Sequence, residues 1–167
     1  MNSPIVIDVE ASGFGAGSYP IEVGYVNEEG KTWCALIAPQ DGWVHWDPEA
    51  EKLHQVSRET LRRHGKDAAA VAAHLNDVFQ NKTVYTDAWM NDFTWMNLLF
   101  EVAGMQPHFK LEDLRSVLTD EQQAIWHEEK QAIMDELKLD RHRASTDAKV
   151  IQLTWVKTSG ENRHLTD

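Results

Sequence analysis

The run Ile5-Val6-Ile7-Asp8-Val9-Glu10 constrains this chain more than any other segment. Three β-branched residues in succession argue for a buried strand, and a strand sends alternate side chains to opposite faces. Asp8 and Glu10 are two positions apart, so their carboxylates project side by side while Val9 points into the opposite layer. Two adjacent acids, buried or half-buried, repel one another unless a cation lies between them. A hard divalent ion answers that repulsion, and an all-oxygen ligand set suits magnesium or manganese over zinc. The pair ends its strand against a Gly-rich turn (Gly13, Gly15 and Gly17, with Ser12 and Ser18), and the junction of strand and loop is where functional side chains tend to sit.

Length and composition set the outer bounds. A chain of 167 residues with 42% hydrophobic content suits one ordinary core, so a single domain over 1–167 is expected. Met-Asn-Ser-Pro leads straight into the first strand, with no basic n-region and no apolar stretch near the ~18 to 20 residues of a membrane span. The expectation is a soluble, cytoplasmic protein with no membrane partner. The lone Cys34, inside the strand-like Thr32 to Ile37, excludes an internal disulfide and is expected to serve core packing. A net charge of −11 excludes the broad basic face with which many nucleic-acid binders collect phosphates. Such acidity fits a small footprint in which bound metal supplies the positive charge; two divalent ions would take −11 to −7. Solubility alone also explains it.

The first third is β-rich. Residues 5–10, 21–26 and 31–38 read as strands separated by the Gly-rich turn and by Asn27-Glu28-Glu29-Gly30, which predicts an antiparallel meander. Trp43, Trp46 and Pro48 fall in a loop-like stretch, followed by a helical turn begun by Ser57 and a helix over 67–79 with Asp67 as its cap. Thr83-Val84-Tyr85-Thr86 is a fourth strand. A helix from about Asp92 carries Trp95, Leu98, Leu99 and Val102 at i, i+3, i+4, i+7 spacing and stops at Gly104. A last strand is short or absent, and the remainder reads as helix over 111–139, with a break near Thr119-Asp120, and over about 145–157. Strands first and helices later argue for an α/β protein with a mixed sheet covered by helices.

Two further segments can add to the acidic pair. Thr86-Asp87-Ala88-Trp89-Met90-Asn91-Asp92 joins the fourth strand to the next helix, and Asp92 would face the site from that helix start, where the helix dipole also favours an acid. Asp87 competes for the same role, with a cap or an outer hydrogen-bond partner as its alternative. His142 lies in the loop before the last helix and Asp147 within that helix's first turns. An acid there can reach a metal, and a histidine on the preceding segment can act as general base toward a metal-bound water. Arg141 and Arg143 flank His142 within reach of phosphate, with solvent exposure as the alternative. Trp43, Trp46 and Trp89 border the expected cleft and offer stacking faces for unpaired bases, against the plainer reading of core or loop packing.

Taken together, Ile-Val-Ile-Asp-Val-Glu-Ala-Ser-Gly at 5–13, Ile-Glu-Val-Gly at 21–24, Asp92, and His-Arg-Ala-x-x-Asp-Ala at 142–148 resemble the three motifs of the DEDD exonuclease superfamily in its histidine branch. That branch includes the proofreading subunit of bacterial replicative polymerase, ribonuclease T and oligoribonuclease. The likeness runs from about 4 to 156, and Leu53-His54-Gln55-Val56-Ser57 resembles the family's His-Gly-Ile-Ser/Thr turn. The resemblance implies a ribonuclease H-like fold with a central mixed five-stranded sheet flanked by helices. It also implies 3′-to-5′ exonuclease activity that releases nucleoside 5′-monophosphates.

Carried onto matching positions, Asp8, Glu10, Asp92 and Asp147 would hold two Mg2+ or Mn2+ ions, His142 would take a proton from water, and Ala11, Ser12 and Gly13 would lie against the terminal nucleotide with Arg143 nearby. The implied partner is a nucleic acid with a single-stranded or frayed 3′ end, DNA or RNA. Relatives include dimers and subunits of larger assemblies, so a homodimer stays open. Two departures stand out: the second motif lacks Asn before Ala and has one extra residue before its acid, and Gln55 replaces the usual Gly. The alternatives are a non-catalytic nucleic-acid-binding or regulatory module on the same fold, and an endonuclease.

Overall fold

A computed structural model of the chain describes residues 3–139 and 142–160. The meander forms as its sequence pattern predicts: β1 (Val6–Ala11), β2 (Pro20–Val26) and β3 (Thr32–Leu36) pair antiparallel in succession. Strands β4 (Thr83–Thr86) and β5 (Lys110–Asp113) add to the other edge of β1, each parallel to its neighbour, in the order β3-β2-β1-β4-β5. Six α-helices complete the described residues: α1 (Pro48–His54), α2 (Arg58–His64), α3 (Ala68–Phe79), α4 (Trp89–Ala103), α5 (Asp120–Leu137) and α6 (Ala144–Thr158).

Alternation along β1 sorts the molecule into layers. Ile5, Ile7, Val9 and Ala11 face one way, into a core with Val23, Tyr25, Leu75, Phe79, Leu99 and Phe100, which brings in α3 and α4. Val6 faces the other way, into a second cluster with Val26, Leu114, Ala148, Ile151 and Trp155 under α6. Asp8 and Glu10 share that second face, on the side of α6. Burying one Leu or Ile side chain is worth about 1.5 to 3 kcal/mol, so the larger cluster anchors the sheet from one side only.

Several expected boundaries shift. The short last strand is β5 at residues 110–113, where helix was expected from Leu111, because pairing with β4 is a long-range event that Lys-Leu-Glu-Asp does not advertise locally; its charged residues suit an edge strand. Residues 48–54 form α1, not a loop: Asp47 accepts the Glu49 backbone N–H at 2.9 Å, and Pro48 occupies the first turn that proline tolerates. Asp67 precedes α3 without capping it through its side chain. Helix α4 begins at Trp89, so Asp92 lies one turn inside it, and Val102 stays 38% exposed rather than joining the apolar face. Cys34 is half-buried because β3 is the edge strand of the meander. No helix among the described residues is long and apolar enough to cross a membrane. Arg141 lies outside the described residues.

Candidate active site

The carboxyl ends of the parallel strands β1 and β4 meet at one edge of the sheet, the usual place for a site in α/β proteins. A cleft of about 310 Å³ opens there, and Asp8, Glu10, Asp87, Asp92, Lys130, His142 and Asp147 all line it. Strand β1 contributes the first two acids from its α6 face. Helix α4 contributes Asp92, which is buried and accepts the Thr86 hydroxyl at 2.5 Å. Helix α6 contributes Asp147 from its first turn, and Asp147 Oδ2 lies 3.0 Å from His142 Nδ1.

Gly24 makes that last placement possible. It pairs with Asp8 across β1 and β2, and a Cβ on it would lie 2.2 Å from the Ser145 backbone nitrogen and 2.5 Å from the Ala144 carbonyl carbon. Only a residue without a side chain lets the start of α6 rest on the sheet beside the acids. Two more contacts hold the same segment. Arg143 Nε donates to both oxygens of the fully buried Glu22, at 3.0 and 2.8 Å, and the His142 backbone N–H donates to the Leu53 carbonyl at 3.0 Å. Glu22 is the partner of Glu10 in the β1–β2 register. Its charge is matched by Arg143 behind the site, so that guanidinium is committed to structure and is absent from the cleft lining.

Burial and concentrated negative charge leave their mark on Asp8, Glu10 and Asp92. Burial above all, then the charges of Asp92, Glu10, Asp147 and Asp87, hold the Asp8 carboxyl well above the usual carboxylate range. Glu10 is pushed up to about 8, by burial first and by Asp147 next. Asp92 rises to about 7 through burial, opposed by its hydrogen bond from Thr86 and assisted by Asp87. Asp8 Oδ2 is shielded from solvent and has no hydrogen-bond partner among the described residues. An orphaned carboxylate oxygen among acids that resist ionisation is the environment that a hard cation relieves. Ligand atoms of Glu10, His142 and Asp147 lie within 4.8 Å of one another, close enough to share one ion. The donor set therefore fits divalent metal.

The remaining expected residues divide. Ala11 and Gly13 line the cleft, and Gly13 is compelled to be glycine because a Cβ would lie 2.6 Å from that of Asp47. Ser12 turns away from the cleft: its hydroxyl accepts the Tyr19 N–H at 3.1 Å and lies 2.9 Å from His45 Nδ1. Trp43 stacks on Tyr19, Trp46 donates to Glu51, and Trp89 stacks on Phe93 while donating to the Leu111 carbonyl. None of the three lines the cleft, whose aromatic walls are Phe14 and Trp95. Sequence reasoning gave no role to Lys130, Thr86, Leu53 or Glu22. Glu22 carried a usable signal, a carboxylate on an otherwise apolar strand, whereas Lys130 carried none. Gln55 adopts the left-handed conformation (φ 56°) that closes α1, so the turn keeps a backbone shape suited to glycine.

No family model matches the sequence, and no characterised protein matches it by sequence. Solved structures do share its fold. Exonuclease I of E. coli in complex with a dA16 oligonucleotide matches with a TM-score of 0.70 at 14% identity, over 96% of this chain and 41% of that one. The zinc-bound form of the E. coli exonuclease I–ssDNA complex gives 0.68 at 14% identity, over 98% of this chain and 41% of the other. Exonuclease I in complex with the inhibitor BCBP gives 0.71 at 14% identity, over 98% and 42%. This chain has the ribonuclease H-like fold. It spans about two fifths of the length of each of these structures.

Proposed function

We propose that this chain is a divalent-metal-dependent 3′-to-5′ exonuclease that removes nucleoside 5′-monophosphates from single-stranded or frayed ends of DNA or RNA. The observation that carries this reading is the convergence of Asp8, Glu10, Asp92 and Asp147 with His142 in one cleft at the carboxyl ends of β1 and β4. The bound oligonucleotide and single-stranded DNA in the exonuclease I structures support it, because those proteins share this fold.

The four carboxylates would hold two Mg2+ or Mn2+ ions. Bound there, such ions supply Lewis acidity for a phosphoryl oxygen and for water. The rest of the work belongs to the chain itself. His142 Nδ1 lies 3.0 Å from Asp147 Oδ2; with Nδ1 as the donor, that contact would orient the ring and leave Nε2 as the proton acceptor. Leu53, by accepting the His142 backbone N–H, keeps that ring at the mouth of the cleft. The apolar walls, buried Ala11 and Trp95 with exposed Phe14 and Leu53, offer apolar surface to a nucleotide.

The test uses a 5′-labelled single-stranded oligonucleotide incubated with Mg2+ or Mn2+, comparing the wild-type chain with Asp8→Ala. A ladder descending in single-nucleotide steps is expected from the wild type and not from the variant. Internal cuts would point to an endonuclease, and an unshortened strand with every divalent ion would overturn the enzyme reading. Matched RNA and DNA strands run side by side then give the sugar preference.

A further inference from the structure

We infer that Lys130 is the phosphate-gripping cation of the cleft, placed by helix α5 to hold a backbone phosphate of a single-stranded nucleic acid. This rests on the nuclease reading above and adds to it a residue from a helix that contributes none of the five expected site residues.

Charge balance requires such a group. A nucleic acid is a polyanion, and this cleft presents five carboxylates: Asp8, Glu10, Asp87, Asp92 and Asp147. Two divalent ions would balance four of them and leave one negative charge facing the incoming phosphate. Among the described residues Lys130 is the only lysine or arginine that lines the cleft. Arg143, the nearest alternative in sequence terms, is committed to the buried Glu22. Lys130 therefore decides whether the site is neutral or repulsive when the strand arrives.

Geometry supports the same role. Lys130 Nζ donates to Asp87 Oδ2 at 2.5 Å, and both side chains keep some exposure, 30% and 24%. An ammonium group has three N–H donors, and one hydrogen bond to Asp87 leaves two for a ligand. Asp87 sits at the junction of β4 and α4, between the acids and α5, so it pins the ammonium at the rim of the acidic cluster without saturating it. Met134, one turn further along α5, lines the cleft beside Lys130. Helix α5 thus presents a cation and an apolar side chain on one face, matched to a phosphate and to the sugar or base that follows it.

The experiment measures binding rather than turnover. A fluorescent single-stranded oligonucleotide with phosphorothioate linkages at its 3′ end is titrated by anisotropy in Mg2+ at several salt concentrations, with the wild type, Lys130→Met and Lys130→Arg. Methionine keeps the length and most of the apolar stem, and thermal melts confirm that the variants fold. Lys130→Met is expected to weaken binding about tenfold and to reduce the slope of log affinity against log salt by about 0.7, the release expected for one phosphate contact on a single strand. Lys130→Arg is expected to keep the slope. Unchanged affinity and slope in Lys130→Met, or weakened affinity with an unchanged slope, would overturn the inference. Loss of strand shortening in Asp8→Ala tests the nuclease reading separately, so the two can fail independently.

Discussion

The two faces of β1 carry opposite chemistry on one six-residue strand. Toward α3 and α4 it sends Ile7 and Val9 into the largest apolar cluster; toward α6 it sends Asp8 and Glu10 into a cleft where burial and mutual repulsion hold both acids far from their ordinary titration range. The apolar face stabilises the strand strongly enough that the other face can hold groups that oppose folding. Stability and chemistry are thus separated by the alternation of a single strand, with the site strained by charge and the core behind it closely packed.

The sharpest way to break that comparison is to exchange effects between the faces. Asp8→Ala should lower metal-dependent strand shortening by about 10²- to 10³-fold or more, the size expected when a preorganised electrostatic contact is lost. It should leave metal-free thermal stability unchanged or raised, because a buried acid with an unpartnered oxygen among other acids is gone. Ile7→Ala should do the reverse, costing about 2 to 5 kcal/mol of stability in a denaturant titration while the surviving folded protein still cleaves. If both variants lose stability equally, the separation of faces fails.

Gly24→Ala probes the contact that joins the acidic face to α6. The new methyl cannot share space with the backbone of Ala144 and Ser145, so α6 must move off the sheet and carry Asp147 and His142 with it. A displacement near 1 Å costs about 10²-fold in rate, and initial rates on a short oligonucleotide should show it.

A smaller effect is expected from pH. The folded chain keeps protons on Glu10 up to about 8 and on Asp92 up to about 7, whereas the unfolded chain releases them near the ordinary carboxylate values. Between those limits the native state binds more protons, so these groups make stability fall as pH rises. Thermal melts in chelator should therefore decline from pH 5 to pH 8.5, and added Mg2+ should recover the loss at the upper end. A flat or rising profile in chelator would contradict the acidic strain.

The smallest change lies away from both faces. Gln55 closes α1 at φ 56°, where a side chain is disfavoured, and Gln55→Gly should raise stability by about 0.5 to 1 kcal/mol in a denaturant titration. Its effect on cleavage should be slight unless the Leu53 carbonyl shifts from the His142 N–H.

Much of this was legible before any coordinates. The meander follows from β-branched runs broken by Gly-rich turns, and α6 falls within a residue of the helix expected over about 145–157. Asp8, Glu10, His142 and Asp147 were marked by residue type and spacing, and all four line one cleft. A short fifth strand was allowed for, but its place at residues 110–113 was not legible, because these four residues gain their conformation from β4 rather than from their own propensity. Helix α1 was missed although Asp47-Pro48 is a recognisable helix start, since the tryptophans around it suggested an irregular loop. The roles of Ser12 and Arg143 could not be read locally, because Tyr19, His45 and Glu22 reach them only after the chain has folded back.

By itself, then, the sequence determined that two carboxylates share one face of a strand, since a period of two is a property of the extended backbone. It also determined that a histidine and an acid sit at the start of the last helix. Tertiary structure decided the status of the middle acids. Asp87 is held by Lys130, 43 positions away on α5, while Asp92 is buried under the hydroxyl of Thr86. Asp87 lies in the junction between β4 and α4 and Asp92 in the first turn of α4, five positions apart in one segment of the sequence. Only the packing of distant helices, through contacts that no local pattern encodes, gave one of them a cation and the other a buried place beside Asp8.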